Sequence, residues 1–301
     1  MQQKHTWWTV IVPLVLIIAV TGFIINRGLA QQQQGTTQKS IHIVASLDFY
    51  GEMAQGVAGK YASVSSVIQN TKVDPHDYEP TSDVAKEYAA ADIIISNGGG
   101  YDKWSSQFAQ QNSGAKAITV AQLTGYKTGG NEHLWYKPST ARKVVLAVER
   151  QLIKIDPQHK RQYTTNAQRY LAKFKGLRRL ERRARQQLAG KRYLATEPVY
   201  DNMLTALGAQ NDAHAFAEAV DAENDPTATE IRQWQTDVQN HTVAFVINNP
   251  QNSGRLVKSA VAYARQHGVP VVNITETKPA GETYIQWQTK ELRAVLKALQ
   301  Q

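Results

Sequence analysis

The chain has 301 residues, with 34 Lys and Arg against 25 Asp and Glu, a formal charge of +9, and no cysteine. The lack of cysteine excludes disulfide bonds and a lipid attached to an N-terminal cysteine. The length beyond residue 40 is too great for one small domain and suits two lobes of ordinary size.

The first 30 residues indicate export. Residues 7–25 are almost entirely apolar, with Lys4 before them and Arg27 after them. About twenty apolar residues can span a bilayer as a helix, so this run predicts a membrane anchor. The alternative is a signal peptide that is cleaved after Ala30. In either case we expect the rest of the chain at the extracellular face of the membrane, anchored there or secreted.

The segment that follows the leader is polar. Residues 31–39 contain no apolar side chain, which predicts a flexible tether. Without Lys4 and Arg27, the only charged residues of the leader, the exported part carries a formal charge of +7. Such a surplus favours an anionic cell wall or membrane surface.

Strand and helix signals alternate from residue 40 onward. The pattern predicts strands at residues 40–46, 64–68, 92–96, 192–196, 243–248 and 269–274, separated by helical stretches. Alternation of this kind is typical of parallel sheets flanked by helices. It predicts an α/β fold with two parallel-sheet lobes, an N-terminal lobe at residues 40–155 and a C-terminal lobe at residues 191–301.

One long rigid helix is predicted between the lobes, within residues 156–190. Residues 158–190 contain no proline and a single interior glycine, Gly176. Apolar residues recur every three or four positions, at Leu171, Phe174, Leu177, Leu180, Ala184 and Leu188. The opposite face is rich in Lys and Arg. We interpret it as a solvated face and expect no binding of nucleic acid.

Two histidines and two glutamates are the candidate metal ligands: His76, His133, Glu197 and Glu276. Both histidines lie in turn-rich segments with polar and aromatic neighbours. Both glutamates come just after a predicted strand, where parallel sheets bind their ligands. Two imidazoles and two carboxylates can complete the shell of a divalent transition metal. A shell closed by protein leaves no position for a substrate, so the set favours metal binding over catalysis.

Some of these side chains have alternative roles. Glu197 is also placed to cap the next helix, whose N-terminus attracts a carboxylate. Glu282 lies close enough in sequence to serve in place of Glu276. Asp74 and Glu79, beside His76, are more typical of acceptors that orient a histidine than of ligands.

An ordered series of short sequences carries a family resemblance. The pieces are DPHDYEPT at 74–81, NG at 97–98 with YDKW at 101–104, HLW at 133–135, NPQ at 249–251, the stretch 268–277, and GETY at 281–284. In this series the chain resembles the zinc and manganese type of metal-binding solute-binding proteins of ABC importers, the family that includes metal-binding adhesin lipoproteins. The resemblance covers nearly everything from residue 41 to the C-terminus.

The resemblance implies two α/β lobes joined by one long rigid helix, with the metal held in the cleft between the lobes. It implies that His76 and His133 are ligands from the N-terminal lobe, that Glu197 is the third ligand and that Glu276 closes the shell. The transported ligand would be Zn²⁺ or Mn²⁺, the partner would be the membrane permease of an ABC importer, and the chain would act as a monomer.

The chain departs from the family in three features. It lacks the lipoprotein cysteine, so its attachment to the membrane must differ. The segment 126–132 is short and lacks the histidine-rich loop of many zinc carriers. Pro198 follows Glu197 directly, which affects the geometry expected for that ligand.

Three functions are compatible with this sequence. The first is extracellular binding of a divalent transition metal for delivery to an ABC importer, without catalysis. The second is a surface adhesin with a structural metal, which the basic surface would suit. The third is a metallohydrolase, because two histidines and a glutamate with a bound water can be catalytic.

Overall fold

The computed structural model describes residues 21, 40–69, 71, 78–252 and 254–301. The folded part, Ile41–Gln301, forms one compact unit. The tether, His76 and all of the predicted membrane or signal segment except residue 21 lie outside the described residues, so those assignments stay predictions. Within the described ranges, no helix is both long and apolar enough to cross a membrane.

The N-terminal lobe is built on a four-stranded parallel sheet with the order β2-β1-β3-β4. Its strands are β1 (Ile41–Leu47), β2 (Ala62–Ile68), β3 (Ile93–Ser96) and β4 (Lys116–Thr119). Its helices are α1 (Asp48–Ala58), α2 (Ser82–Ala90), α3 (Lys103–Gln111), α4 (Val120–Thr124) and α5 (Thr140–Ile155). The three predicted strands are present. The sequence did not indicate β4, an edge strand whose first two residues are exposed.

The C-terminal lobe repeats this plan with the strand order β6-β5-β7-β8, again all parallel. Its strands are β5 (Arg192–Ala195), β6 (Gln210–Asn211), β7 (Val246–Asn248) and β8 (Val271–Asn273). Its helices are α8 (Asp201–Ala206), α9 (His214–Asp221), α10 (Ala228–Gln239), α11 (Arg255–Gln266) and α12 (Tyr284–Ala298). The predicted fold class, two parallel-sheet α/β lobes, is confirmed.

Local sequence accounts for these elements. The three isoleucines that begin β3 are buried, as expected in a parallel sheet that helices cover on both faces. Thr81 caps α2 by accepting a hydrogen bond from the amide of Val84, as its sequence predicts. Thr227 and Thr283 begin α10 and α12 with capping boxes that pair each threonine with the third residue of its helix.

The prediction of one continuous helix between the lobes is wrong at a single residue, Phe174. Two consecutive helices connect the lobes: α6 (Lys160–Lys173) and α7 (Lys175–Leu188). At the junction the Phe174 amide donates to the Leu171 carbonyl at 3.3 Å, three residues back, which is the tighter 3₁₀ pattern. The four-residue pattern resumes when the Arg178 amide donates to the Phe174 carbonyl at 2.9 Å. Phe174 itself keeps right-handed helical angles, so no loop separates the two helices.

Helix α7 has the two faces that its sequence predicts. Its buried side chains recur every three or four residues: Leu177, Leu180, Ala184 and Leu188. The basic side chains between them are exposed: Lys175, Arg178, Arg179, Arg182, Arg183 and Arg185. The helix therefore attaches to the protein through one apolar stripe and presents its cationic face to solvent.

Gly176, near the start of α7, is a site where alanine should stabilise the protein. A Cβ added there would meet no atom within 4 Å, and alanine is favoured over glycine in a helix by about 1 kcal/mol. We expect Gly176→Ala to raise the free energy of unfolding by about 0.5–1 kcal/mol. Gly59→Ala is the matched control. Gly59 has a φ of +60° and its added Cβ would lie 2.9 Å from Asn166 Nδ2, so that change should destabilise.

Urea unfolding of the metal-free protein measures both changes. An unfolding midpoint that falls in Gly176→Ala would contradict the geometry described for α7.

Helix α12 belongs to the C-terminal lobe and also contacts the N-terminal lobe. The Tyr284 amide donates to Glu52 on α1 at 2.8 Å, and the Tyr284 hydroxyl donates to the carbonyl of Trp135. The rings of Phe49 and Trp287 lie 5.6 Å apart, and those of Phe49 and Trp135 lie 5.3 Å apart. An aromatic core shared by both lobes therefore supports the segments that follow their strands.

Candidate metal site

Three polar side chains follow neighbouring strands of the C-terminal sheet. Glu197 comes two residues after β5, Asn249 directly after β7, and Glu276 three residues after β8. These strands are hydrogen-bonded in the order β5-β7-β8. Because their carboxyl ends lie at one edge of the sheet, the three side chains come together there. Each of these residues is buried.

Asn249 links the two glutamates. Its side-chain nitrogen donates to Glu197 Oε2 and to Glu276 Oε1, each at 2.7 Å. Asn252 donates to the other oxygen of Glu197. The two carboxylates are thus held close together by amide groups, with no cationic side chain in these hydrogen bonds. Two buried carboxylates held this close to each other favour the binding of a cation or of a proton.

Gln251 holds the Glu276 segment in place through two backbone hydrogen bonds. The Gln251 side-chain oxygen accepts the Glu276 amide at 2.8 Å and the Thr277 amide at 3.3 Å. Glu282, the alternative to Glu276, instead pairs with Lys290 at 2.6 Å. The structure therefore brings Glu276, and not Glu282, to the edge where Glu197 lies.

His133 is oriented by Asn131 of the N-terminal lobe and Asn202 of the C-terminal lobe, which together form an asparagine clamp. Asn131 Oδ1 accepts hydrogen bonds from the His133 amide at 2.8 Å and from Asn202 Nδ2 at 2.9 Å. The same oxygen lies 3.1 Å from His133 Nδ1. Because these donors identify the atom as the amide oxygen, Nδ1 must carry the proton that it shares with it. In the neutral ring the lone pair is then on Nε2, the form in which histidine binds a metal.

The Nε2 atom of His133 points at carboxylates. It lies 3.9 Å from Glu276 Oε1 and 4.0 Å from Asp221 Oδ1. His133 is fully buried, and its Nε2 has no hydrogen-bond partner among the residues that the structure describes. The rings of Tyr101 and Trp135 enclose the imidazole, with centroids 6.1 and 5.4 Å away. A buried nitrogen lone pair that faces carboxylate oxygens is suited to binding a cation.

The charges of the site shift its pKa values upward. Burial, followed by the charge of Glu276, raises the pKa of Glu197 to about 7, against the opposing effect of its amide hydrogen bonds. Burial by itself lowers the pKa of His133, but Glu276, Asp221 and Glu132 outweigh it and the net shift is upward. Both groups therefore hold protons more tightly than usual, and a metal ion has to displace those protons.

A buried network behind the site ties the His133 segment to the Glu276 segment. The Tyr136 hydroxyl lies 2.6 Å from the Thr275 carbonyl and 2.7 Å from Glu291 Oε2. Glu291 Oε1 accepts the Thr275 amide at 3.0 Å and the Trp287 indole N–H at 2.8 Å. Burial raises the pKa of Glu291 to about 8. Tyr136, Thr275, Trp287 and Glu291 thus form one buried hydrogen-bonded network.

Replacing Glu291 tests this network. Glu291→Leu leaves the Thr275 amide without its acceptor, at about 1–3 kcal/mol, and leaves the Trp287 indole only the Thr275 hydroxyl, at 3.1 Å. It should therefore destabilise the protein and, by releasing the Glu276 segment, lower metal affinity about tenfold. The matched control, Glu291→Gln, has the shape of a neutral carboxyl group and should have a much smaller effect. Urea unfolding and calorimetric titration with Mn²⁺ measure the two changes; equal metal affinities in both variants would contradict the coupling.

The structure brings together three of the four predicted ligands, His133, Glu197 and Glu276. The fourth, His76, lies outside the described residues. Within the described part of the chain, no three His, Asp or Glu side chains already form a metal-binding cluster. The separations of 3.9 and 4.0 Å at His133 Nε2 exceed the roughly 3.4 Å between ligand atoms of a tetrahedral site with bonds of about 2.1 Å.

Several residues of the site were missed from the sequence. Asn249 belongs to the NPQ piece of the resemblance, yet nothing in the sequence indicates that it bridges two glutamates. Asn131 and Asn202 form the clamp on His133, and Glu291 supports the Glu276 segment from within a helix. Asp221 ends an alanine-rich helix without a motif. These residues become neighbours of the ligands only through tertiary folding.

Comparison with protein families identifies the fold and its relatives. The family model described as zinc-uptake complex component A, periplasmic, matches residues 43–298. The iron-binding protein YfeA of Yersinia pestis is 29% identical over 172 residues, which are 54% of this chain and 55% of that protein. The high-affinity zinc uptake system protein ZnuA of Bacillus subtilis is 21% identical over 266 residues, covering 82% of this chain and 81% of that protein.

Other relatives carry the name of a different metal. The manganese-binding lipoprotein MntA of Halalkalibacterium halodurans is 24% identical over 165 residues, which are 52% of this chain and 53% of that protein. The chain thus spans about half the length of YfeA and MntA in these matches.

A solved structure gives the same fold. The manganese-bound periplasmic metal binding protein of Candidatus Liberibacter asiaticus superposes with a TM-score of 0.71, at 17% identity, covering 86% of this chain and all of that chain. The fold seen in the described residues is therefore that of a known metal-binding protein.

Proposed function

Taking as our premise that this chain belongs to the family of zinc-uptake complex component A, the metal-binding substrate-binding proteins of ABC importers, we propose that it binds one divalent transition metal outside the cell and delivers it to an import permease. The observation that carries the proposal is the pairing of His133 Nε2 with Glu276 Oε1 at 3.9 Å inside a buried carboxylate cluster. The cluster offers both kinds of ligand atom that such a metal requires.

The proposed ligands are His133, Glu197 and Glu276, with His76 as the fourth. His133 presents its Nε2 to the carboxylates because Asn131 holds the opposite nitrogen. Glu197 and Glu276 share the side-chain amide of Asn249. A divalent ion would neutralise the two carboxylates and replace the protons that they and the imidazole hold.

The proposed cargo is Zn²⁺ or Mn²⁺. Imidazole and carboxylate bind both ions, and carboxylate oxygens are the harder donors, which suit manganese. The names of three relatives assign them iron, manganese and zinc, so each of these relatives is named for a divalent transition metal or its element.

Binding without catalysis follows from the same ligand set. A hydrolytic metal needs an open position for water and a general base within reach. Four protein ligands fill a tetrahedral shell, and Asn249 and Asn252 already bind the oxygens of Glu197 that would act as a base. A surface adhesin would use the exposed basic faces, but it gives no reason for a buried pair of glutamates that share one amide donor.

The proposed location is the extracellular face of the membrane. The apolar run at residues 7–25 would anchor the chain there, or its cleavage after Ala30 would release it. The partner would be the membrane permease of an ABC importer, and the chain would act as a monomer.

Metal uptake by cells tests the proposal. Cells that express the chain should accumulate radioactive manganese or zinc from nanomolar medium faster than cells in which its gene is deleted. The uptake should return with the wild-type gene and not with a gene that carries Glu276→Gln. If the strains did not differ in their uptake of either metal, a role in import would be contradicted.

A further inference from the structure

We propose that Asp221 is an additional ligand of the metal bound at His133, and that it makes the site favour Mn²⁺ over Zn²⁺. The inference rests on the proposed function and adds to it a residue and a preference among metals. Asp221 is the last residue of α9.

The first observation is distance. Asp221 Oδ1 lies 4.0 Å from His133 Nε2, and Glu276 Oε1 lies 3.9 Å from the same atom. Two carboxylate oxygens from different parts of the C-terminal lobe thus stand equally close to one buried nitrogen. Two ligand atoms of one tetrahedral ion lie about 3.4 Å apart when the metal–ligand bonds are about 2.1 Å. The Asp221 oxygen would therefore have to move about half an ångström closer to His133 Nε2 to bind the same ion.

The second observation is the state of that nitrogen. His133 is fully buried, and its Nε2 has no hydrogen-bond partner in the described part of the chain. Its other nitrogen is held by Asn131 at 3.1 Å, so the ring cannot turn to satisfy Nε2 elsewhere. A polar atom in this state points to a ligand between itself and the oxygens that it faces.

The third observation is the position of Asp221 on its helix. A helix carries partial negative charge at its C-terminus, so a carboxylate there is unfavourable unless a cation is near. The last turn of α9 contains no basic residue. The turn is also rigid, because the Glu223 amide donates to Val220 O at 3.0 Å and the Asn224 amide to Ala219 O at 2.8 Å. A metal ion beside Asp221 would be attracted both by the carboxylate and by the partial negative charge of this helix end.

Glu197 already has two amide partners. Both of its oxygens accept amide hydrogen bonds, one from Asn249 and one from Asn252. With Glu197, Glu276 and Asp221, the metal would have three carboxylates beside its imidazoles.

This count of oxygen donors determines the expected preference. Zn²⁺ is satisfied by four ligands in a tetrahedron, whereas Mn²⁺ favours six, mostly oxygen. Losing Asp221 should therefore weaken binding of Mn²⁺ more than binding of Zn²⁺.

Asp221→Asn tests the proposal in the full-length chain. The variant keeps the shape of the side chain, so folding should be preserved. Glu218→Gln is the matched control, because Glu218 lies one turn earlier on α9 and pairs with His214 at 2.9 Å. It removes the same charge from the same helix without touching the cluster.

Competition titration of the three proteins with Mn²⁺ and Zn²⁺ gives the affinities, and X-ray absorption at the manganese edge gives the number of light-atom ligands. We expect Asp221→Asn to lower Mn²⁺ affinity about tenfold or more, to lower Zn²⁺ affinity less than about threefold, and to remove one carboxylate from the manganese shell. Glu218→Gln should match the wild type.

Three outcomes would overturn the inference. Wild-type affinity for both metals in Asp221→Asn would mean that Asp221 is not a ligand. An equal loss for both metals would remove the preference for manganese. An equal loss in Asp221→Asn and Glu218→Gln would reduce the effect to long-range charge. A wild-type protein that binds neither metal is a different result, and it would contradict the proposed function itself.

Discussion

His133→Ala is expected to lower the affinity of the full-length chain for Zn²⁺ or Mn²⁺ by at least about tenfold, which corresponds to about 1.4 kcal/mol of binding free energy. The variant loses the only described imidazole nitrogen that faces Glu276, at 3.9 Å. A carboxylate cluster without it retains charge but lacks the nitrogen ligand that transition metals favour. His76→Ala should have an effect of the same size if His76 is the second imidazole ligand.

Calorimetric titration measures the loss, with His214→Ala as control. His214 is half exposed and pairs with Glu218 and Asp201, neither of which is a proposed ligand, so its removal should leave the affinity unchanged. Because His133 is fully buried, its truncation leaves a cavity that can lower stability. Glu276→Gln therefore provides a second variant that keeps the packing and removes only the charge. Wild-type affinity in both variants would mean that the metal binds elsewhere.

Metal affinity is expected to fall steeply with acid, by roughly a hundredfold or more between pH 7 and pH 5. The pKa of Glu197 is raised to about 7 by burial and by Glu276. Above that pH the group is a carboxylate that is ready to bind. Below it, each unit of pH adds about a tenfold advantage to the proton that the metal must displace. The raised pKa of His133 acts in the same direction, because its charged form cannot bind a metal.

The pH dependence can be assigned to a residue with Glu197→Gln. This variant cannot take up a proton at that position, so at about pH 6 or below the number of protons released per metal should fall by about one relative to the wild type. Titrations in buffers of different ionisation enthalpy measure that number. An affinity that stays constant from about pH 7 to about pH 5 would argue against ligands with raised pKa values.

The elements that form the site could be predicted from the sequence because each is a local pattern. The buried β3 is a run of isoleucines, and Glu197 and Glu276 come soon after strands that their apolar residues identify. Parallel pairing then brings strand ends to one edge, which is why a rule about strand ends could find both glutamates.

The features that escaped prediction depend on contacts between distant parts of the chain. The sequence around Phe174 is compatible with a helix throughout, yet the helix changes its hydrogen bonding where the Phe174 ring packs against Tyr170 and Tyr284, at 5.7 and 6.0 Å. Tertiary packing overrides helix propensity at this point. Asp221 likewise lies far along the chain from His133 and has no sequence pattern that would mark it.

Metal content of the purified protein is the most direct test that His133, Glu197 and Glu276 hold a divalent metal. The full-length wild type and a variant with both His133→Ala and Glu276→Gln would be equilibrated with equal concentrations of Zn²⁺ and Mn²⁺, freed of loosely bound metal, and analysed by inductively coupled plasma mass spectrometry. We expect about one divalent ion per wild-type chain and almost none in the folded variant. A wild type that retains no metal, or a variant that retains as much as the wild type, would contradict the assignment.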